Sequence, residues 1–452
     1  MAGLAVRLAF VALEPATRPR GDERTWLVLG LEWVAAPPAS FDPLKSPLLF
    51  YPPLQPYLIG VAATLGGLGA VKVAQALLGA LLVPAVALVG RRAFGPGVGL
   101  AAAAATAVYP TLVWYSAHFW SEPLFVVLLW WGLERALAAD EGRGGAAVAS
   151  GVLLGLAALT RELPLYFVPI LVAWMLSRRD RASLVRALAL VAATTAVVAP
   201  WTLRNWVRFG AFVPVSTMGG RALWEGNTLG DRGDLYAEHD RISRDEGQVA
   251  AYRHAVREGL RSIRERQPRW ILDKTVDELD GLFTPINMAL VHIQKGGYGP
   301  PSLRAAWLVA AVTVSPYLAA MTLFIVGLAR IRWTRARALL VLFFAFYVLL
   351  HIVVHGHHRF RLPLLPVVFT VGASVLPGLS GVAAPWTPAR RLLTAALLLA
   401  FAVPVLRGLI GLPRDPAFQG ASEEALHRPG LASDGAASVF AGRWRTSSRF
   451  RS

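Results

Sequence analysis

KVAQALLGALLVPAVALVGRRAFGPGVGLAAAAATAVYPTLVW, residues 72–114, holds two apolar runs, 72–90 and 97–114, parted by a short turn that carries Arg91 and Arg92. Apart from Lys72 at the edge, both runs are free of charged side chains. That is what a bilayer requires, since about 20 apolar helical residues cross roughly 30 Å of hydrocarbon. Comparable runs recur at 122–138, 146–160, 163–176, 183–201, 304–328, 338–354, 362–380 and 392–411. The shorter ones need flanking residues or local thinning of the bilayer. Glycine and proline inside them are tolerable where neighbouring helices satisfy the freed backbone groups. The fold expected is an all-α polytopic membrane bundle.

Composition agrees. Of 452 residues, 55% are hydrophobic and only 16% charged, against about 25% charged in soluble domains. With no cysteine, disulfides and Cys-ligated metals are excluded. The net charge of +17 would suggest nucleic acid in a soluble protein. Here many of the basic residues sit in short loops between apolar runs, where they report orientation instead. Arg91 and Arg92; Arg143; Arg178, Arg179 and Arg181; Arg330, Arg332, Arg335 and Arg337; and Arg390 and Arg391 all fall on one side. The positive-inside rule makes that side cytoplasmic. The opposite, outer side receives 14–70, the His118–Glu122 turn, the Thr160–Glu162 turn, 202–302 and the His355–Arg361 turn.

Five regions follow. Residues 1–70 hold a first outer loop and a juxtamembrane element. The apolar stretch Met1–Leu13 is too short to span, is interrupted by Arg7, and is followed by no small-residue cleavage pattern. It reads as the outer end of a first span whose beginning is missing. Phe41 to Pro56 contains five prolines and cannot be helical throughout, so 41–66 reads as interfacial or re-entrant on the outer face. Residues 71–201 form the first part of the bundle and 303–411 the second. Between them, 202–302 reads as an extracytoplasmic helical subdomain. It opens on Met218-Gly219-Gly220, Gly226 and Gly230. Two stripes follow, Val249, Tyr252, Val256, Leu260 and Ile263, then Leu272, Val276, Leu279 and Phe283, each at helical spacing with Pro268 between them. The tail 412–452 has a disordered composition, rich in Gly, Ser, Arg and Ala.

The residues that can carry chemistry collect on the outer side. Asp22-Glu23 suits either plain solvated charge or an acid/base and ion site. Glu122 in HFWSEPLF is explained structurally by Ser121 as a helix cap, Pro123 in the first turn and the helix macrodipole. An ionisable residue at a membrane boundary is equally a functional candidate. Thr160-Arg161-Glu162 reads as a tight turn with a local ion pair. HGHHRFR, residues 355–361, offers histidines for a metal. Neighbours such as His357 and His358 point apart, however, and a metal wants convergent ligands. A basic patch for an anionic headgroup fits better, with Arg359, Arg361 and the Arg204 of PWTLRN as guanidinium forks. Interfacial anchoring is the plain alternative for all of these.

Taken in order, these phrases resemble the bacterial members of the GT-C glycosyltransferase superfamily, in the branch of protein O-mannosyltransferases and aminoarabinose transferases (glycosyltransferase family 39-like). GDERTWLVLGLEW resembles the first-loop acidic motif and YPPLQPYLIG the Pro-rich element after it. VAQALLGALLVPAVALVGRRAFG resembles the next span, and YPTLVWYSAHFWSEPLF the second-loop motif. LGLAALTRE, PWTLRNWVRFGAFVPVSTMGGRALWEGN and HRFRLPLLP are similar to phrases common in the group. The resemblance implies a GT-C-like bundle of about 10–12 transmembrane helices that transfers a sugar from a polyprenyl-phosphate donor to a protein, lipid or glycan acceptor. The site would face outward from a bacterial inner membrane. By that analogy Asp22 is the catalytic carboxylate, Glu23 assists it, and Glu122 lies near the acceptor or a metal. Arg161, Arg359 and Arg361 contact the lipid phosphate, with Arg204 beside them. His118, Trp224 and Asn227 fall on the acceptor side or its loop. Members differ over metal dependence, so no ion is assigned. The chain departs from the pattern in its short first span and in Trp26, where a tyrosine is usual. Two rival readings are a transporter or flippase for lipid-linked sugars, which expects polar residues at mid-span, and an inactive partner subunit.

Overall fold

The run at 72–90 turns out to be the second half of a longer helix. In the computed structural model, which describes residues 1–14, 19, 21–35, 49–228, 232–299, 302–379, 383–415 and 418, Leu54–Phe94 is one element broken only at Gly66 and Gly67. Gly67 has φ +65, a left-handed backbone that a side chain would disfavour. The bend frees the arm 54–65, read above as interfacial or re-entrant, to pack along the helix Asp22–Ala35. At that crossing a Cβ on Gly60 would overlap the Gly30 carbonyl, so two glycines set the close approach. Residues 36–48, Gly230 and 419–452, which carry parts of the regions read above, lie outside the described residues.

In chain order the helices are α1 (Ala2–Leu13), α2 (Asp22–Ala35), α3 (Leu54–Phe94), α4 (Pro96–Val108), α5 (Pro110–Trp114), α6 (Glu122–Asp140), α7 (Ala146–Ala158), α8 (Leu163–Leu176) and α9 (Arg181–Phe209). There follow α10 (Met218–Asn227), α11 (Arg232–Asp245), α12 (Gln248–Glu265), α13 (Arg269–Phe283), α14 (Met288–Gln294), α15 (Leu303–Ala329), α16 (Arg335–Val353), α17 (Leu365–Ala373) and α18 (Pro388–Gly411). No strand occurs among the described residues. Among the described residues five helices, α3, α9, α15, α16 and α18, are long and apolar enough to cross a membrane, and a bent pair of α4 with Pro110–Ala117 makes a sixth. Of the other expected spans, α6 is as long as α16 but carries Glu134 and Arg135 within it, and α7, α8 and α17 are shorter helices. At 362–380, Pro363 and Pro366 delay the α-helix, so a 3-10 segment, His358–Leu364, leads into the nine buried residues of α17.

Arg7, which interrupts an apolar run in sequence, has a defined use. It is fully buried and donates to the carbonyls of Gly3 (2.9 Å), Ala107 (2.8 Å) and Thr106 (3.0 Å). The α4–α5 bend falls at Pro110, whose missing N–H leaves the Thr106 carbonyl without its helical donor. Arg7 supplies one and ties α1 to the break.

The length of α6 separates two polar ends. Its 19 residues place Glu122 and Asp140 about 27 Å apart, close to the hydrocarbon thickness. At the Asp140 end all five arginine-bearing loops meet. Asp140 accepts from Arg178 (2.6 Å) and Arg335 (2.9 Å). Arg92 donates to Glu134 (2.9 Å) and to Glu141, near which Arg143 also lies (3.5 Å). Arg337 bonds the Ala93 carbonyl (2.8 Å), and Arg330 bonds that of Ala384 (2.9 Å), just ahead of α18. The clustering expected from loop charges is thus a physical network.

The α2–α3 crossing gives a direct test. Gly60→Ala must push the two helices apart and is expected to cost about 1–3 kcal/mol, seen as a lowered thermal midpoint in detergent. Gly69→Ala, where an added Cβ meets open space, is expected to leave the midpoint unchanged or raise it. Equal midpoints for the two variants would refute the close crossing.

Candidate active site

At the other end of α6 the acids of two helix starts face the arginines of two loops. Asp22 and Glu23 occupy the first turn of α2, and Glu122 opens α6 with Pro123 beside it. Acidic groups there favour the exposed N–H groups and the helix dipole. The adjacent carboxylates diverge. Asp22 Oδ2 accepts from Arg359 Nη1 at 2.7 Å. Glu23 is buried and accepts from the Phe119 backbone N–H at 3.0 Å.

Glu122 is the hinge of the arrangement. Its Oε1 lies 2.6 Å from Arg161 Nη2 and 4.0 Å from Arg359 Nε. The result is a chain of alternating charge, Asp22–Arg359–Glu122–Arg161. The Arg359 guanidinium sits over the rings of Trp120 (4.9 Å) and Phe360 (5.0 Å), and Phe360 also faces Arg161 (5.6 Å), so cation–π attraction adds to the ion pairs. Burial works against the Arg359 charge. Asp22 and then Glu122 outweigh it, so its pKa is raised above the ordinary arginine value.

Two expectations about this neighbourhood need correcting. Ser121 occupies the cap position of α6 without capping it by its side chain. Its hydroxyl instead accepts from Arg161 Nε at 3.1 Å. Arg161 and Glu162 do not pair with each other. Glu162 accepts from the backbone N–H and hydroxyl of Ser216, both at 2.6 Å, holding the approach to α10. Burial raises the Glu162 pKa, and the Ser216 bonds oppose that shift.

The loop 118–121 is held from below by α3. Gln55 and Gln75 both donate to the Trp120 carbonyl, at 2.9 and 2.7 Å. Sequence reading passed over both glutamines, and also Trp120 and Phe360. The last two were signalled only by their position next to Glu122 and Arg359 in the quoted phrases.

The other candidates lie apart from this chain of charges. Arg361 is buried, donating to the carbonyls of Thr284 and Ile286 (2.7 Å) over the ring of Tyr317. Arg204 lies over Trp201 (4.7 Å), whose ring packs on Trp33 (6.3 Å). Trp33 is roughly 16 Å along α2 from Asp22. His118 stacks on Trp114 and approaches Glu14 Oε1 (3.3 Å), itself paired with Lys72 (2.6 Å). Trp224 is buried against His254 (5.1 Å). Asn227 joins three elements, donating to the Leu223 and Val353 carbonyls (2.8 and 2.9 Å) and accepting from Trp270 (2.8 Å). The histidines of HGHHRFR have separate partners, although the rings of His357 and His358, expected to point apart, lie 3.8 Å from each other. His355 faces Glu278 (3.4 Å), His357 accepts from the Arg359 N–H (3.3 Å), and His358 meets the Met288 sulfur (3.3 Å). Among the described residues no three His, Asp or Glu side chains converge as a metal site would need.

The ion chain is charge-balanced around one buried member, Glu122, and removing that carboxylate leaves Arg161 without its ion partner and Arg359 with one fewer. Glu122→Ala is expected to destabilise the fold by about 3–5 kcal/mol in thermal denaturation. Adding Arg161→Met should recover part of the loss. A single variant that melts with the wild type would refute the role given to Glu122.

Residues 51–204 match the family model described as dolichyl-phosphate-mannose-protein mannosyltransferase. That stretch contains Glu122, Arg161 and Arg204 and stops short of Asp22 and Arg359. No curated protein sequence matches the chain. Among solved structures, the oligosaccharyltransferase of Archaeoglobus fulgidus in its apo form aligns with a TM-score of 0.51 at 16% identity, over 94% of this chain and 55% of that one. Its complex with Zn and sulfate gives 0.50 at 16% identity, over 94% and 53%. ArnT from Cupriavidus metallidurans bound to undecaprenyl phosphate gives 0.40 at 17% identity, over 82% and 75%. The chain spans about half the length of the oligosaccharyltransferase. The resemblance read in the sequence motifs and the helical architecture meet in one fold, that of the GT-C transferases.

Proposed function

We infer that this GT-C-fold membrane protein transfers a sugar from a polyprenyl-phosphate-linked donor to a protein, lipid or glycan acceptor, with Asp22 as its catalytic carboxylate. The observation that carries this reading is the Asp22–Arg359–Glu122–Arg161 chain. It puts one accessible acid beside two cations at the end of the bundle opposite the arginine network. If that network faces the cytoplasm, as the positive-inside rule favours, the reaction takes place at the outer face of a bacterial plasma membrane.

The chemistry then divides among named residues. A bond forms between the anomeric carbon of the sugar and a hydroxyl or amine of the acceptor, and the bond from that carbon to the phosphate oxygen breaks. The acceptor proton passes to the Asp22 carboxylate, acting as general base. The lipid phosphate leaves as an anion stabilised by Arg359 and Arg161, whose planar forks suit phosphate oxygens. Arg361 and Arg204, expected beside them, are committed to backbone carbonyls and aromatic rings. The phosphate role therefore falls to the first two. Glu122 holds both arginines in place, and Glu23 fixes the 118–121 loop against α2.

The test is sugar release from a panel of polyprenyl-phosphate sugars by purified protein with acceptors supplied. Asp22→Asn keeps the size of the side chain and is expected to lose about 10²–10⁴-fold in turnover while melting as the wild type does. Full turnover by a folded Asp22→Asn protein would remove Asp22 from the chemistry. No release by the wild type from any donor would sink the transfer reading itself.

A further inference from the structure

Four residues, 354–357, join the end of α16 to the 3-10 segment that carries Arg359. Backbone groups shut off from water need partners within the protein, and here side chains of α10 and α13 supply them. The Val353 carbonyl accepts from Asn227 (2.9 Å), which in turn accepts from Trp270 of α13 (2.8 Å). The Val354 carbonyl accepts from Lys274 (3.4 Å), and the Gly356 N–H donates to Glu278. Glu278 also lies 3.4 Å from His355 and accepts from Lys274, which donates as well to the Gly226 carbonyl. An added Cβ on Gly226 would collide with the Val354 carbonyl, and one on Gly356 with that of Glu278. The backbones of α10, the connection and α13 therefore touch directly.

Lys274 and Glu278 are both buried. Stability alone does not account for them, since apolar side chains of similar volume often serve a fold as well as a buried ion pair. What an apolar side chain cannot do is accept from one particular N–H. Arg359 stands three residues beyond Gly356. Its side chain is tied to Asp22 at 2.7 Å but lies 4.0 Å from Glu122, so its aim depends on where its backbone is held. That backbone is linked to the connection, because the His357 ring accepts from the Arg359 N–H (3.3 Å) and the His357 carbonyl from that of Phe360 (2.8 Å).

We propose that Glu278, steadied by Lys274, is a positioning residue for Arg359. By bonding Gly356 it fixes the backbone that presents the guanidinium to Asp22, to Glu122 and to the leaving phosphate. The last of these rests on the sugar-transfer reading.

Hydrogen exchange over 354–360 tests the hold on the connection, and sugar release tests its effect on Arg359. Lys274→Met with Glu278→Met removes both charges, keeps the volume and takes the acceptor from Gly356. Lys274→Met with Glu278→Gln removes the same charges but leaves an oxygen for that N–H. In the first variant exchange is expected to quicken about 10-fold, as losing one hydrogen bond to a charged group implies. Its kcat/KM for the donor should fall about 10²-fold, the effect of a misplacement of roughly 1 Å, with KM for the acceptor unchanged. The second variant is expected to recover most of both losses. Asp273→Asn, exposed on the same helix, should match the wild type throughout. Wild-type exchange or wild-type donor kcat/KM in the folded first variant would overturn the proposal, and so would equal losses in the two double variants. Should the first variant not fold, the wild type decides: a Gly356 N–H exchanging as freely as an exposed turn would overturn the proposal, and one as protected as α16 would support it. A wild type that releases no sugar from any donor would remove the transfer reading and leave exchange to judge the hold on the connection.

Discussion

The polar end of the bundle depends on one carboxylate. Glu122 is almost fully buried and touches the guanidinium of Arg161 closely and that of Arg359 more loosely. Charge taken out of water is tolerated only where opposite charge and hydrogen bonds replace the lost hydration. Glu122 therefore needs both arginines, and they need it. Arg161 comes from the turn between α7 and α8, Arg359 from the 3-10 segment after α16, and Asp22 from the start of α2. Segments distant in sequence are gathered by the requirement that this charge be matched.

The same constraint organises the opposite end, with reversed economy. There arginines outnumber acids, and the surplus is spread over backbone carbonyls such as those of Ala93, Ala139 and Ala384. Between the two ends α6 runs through the main apolar core, where Trp130 and Phe343 pack together. Charge that cannot be buried singly thus collects where it can be paired, at the ends of the spans. Arg7 is the instructive exception. It sits within the helical layer because a proline break has already exposed carbonyls there.

Much of this was legible in the sequence. The alternation of apolar runs and arginine loops specified the helical bundle and its two polar ends, and the acidic and basic phrases that meet around Glu122 were each singled out. What the sequence could not supply was the pairing. Arg161 and Glu162 are neighbours and read as a local pair, yet their side chains leave the turn in different directions and find partners 39 and 54 residues away. Gln55 and Gln75 gave no signal, because a glutamine bonding one carbonyl looks like any other polar residue. Nor does periodicity say which medium lies on the apolar side of a helix. The stripe on α13 was read only as one side of a helix; in the structure Leu272 and Val276 of it are exposed, and the inward face carries Lys274 and Glu278. Span counts suffered similarly, since hydropathy scores a run whether or not prolines divide it, as at 362–380.

The two acids on Arg359 differ in what they can do. The side chain of Glu122 is 2% exposed and that of Asp22 is 31%. An incoming nucleophile has to reach a carboxylate oxygen within hydrogen-bond distance to lose its proton, and only Asp22 offers one from outside. Glu122 is already bound to Arg161, and any movement would take that guanidinium's ion partner away. The division of labour under the sugar-transfer reading follows from burial alone. The enclosed acid fixes the cations, and the open acid, held in direction by one of those cations, meets the acceptor. A leaving phosphate arriving between Arg359 and Arg161 would meet two positive groups already held in place, so little reorganisation is needed as charge develops on it.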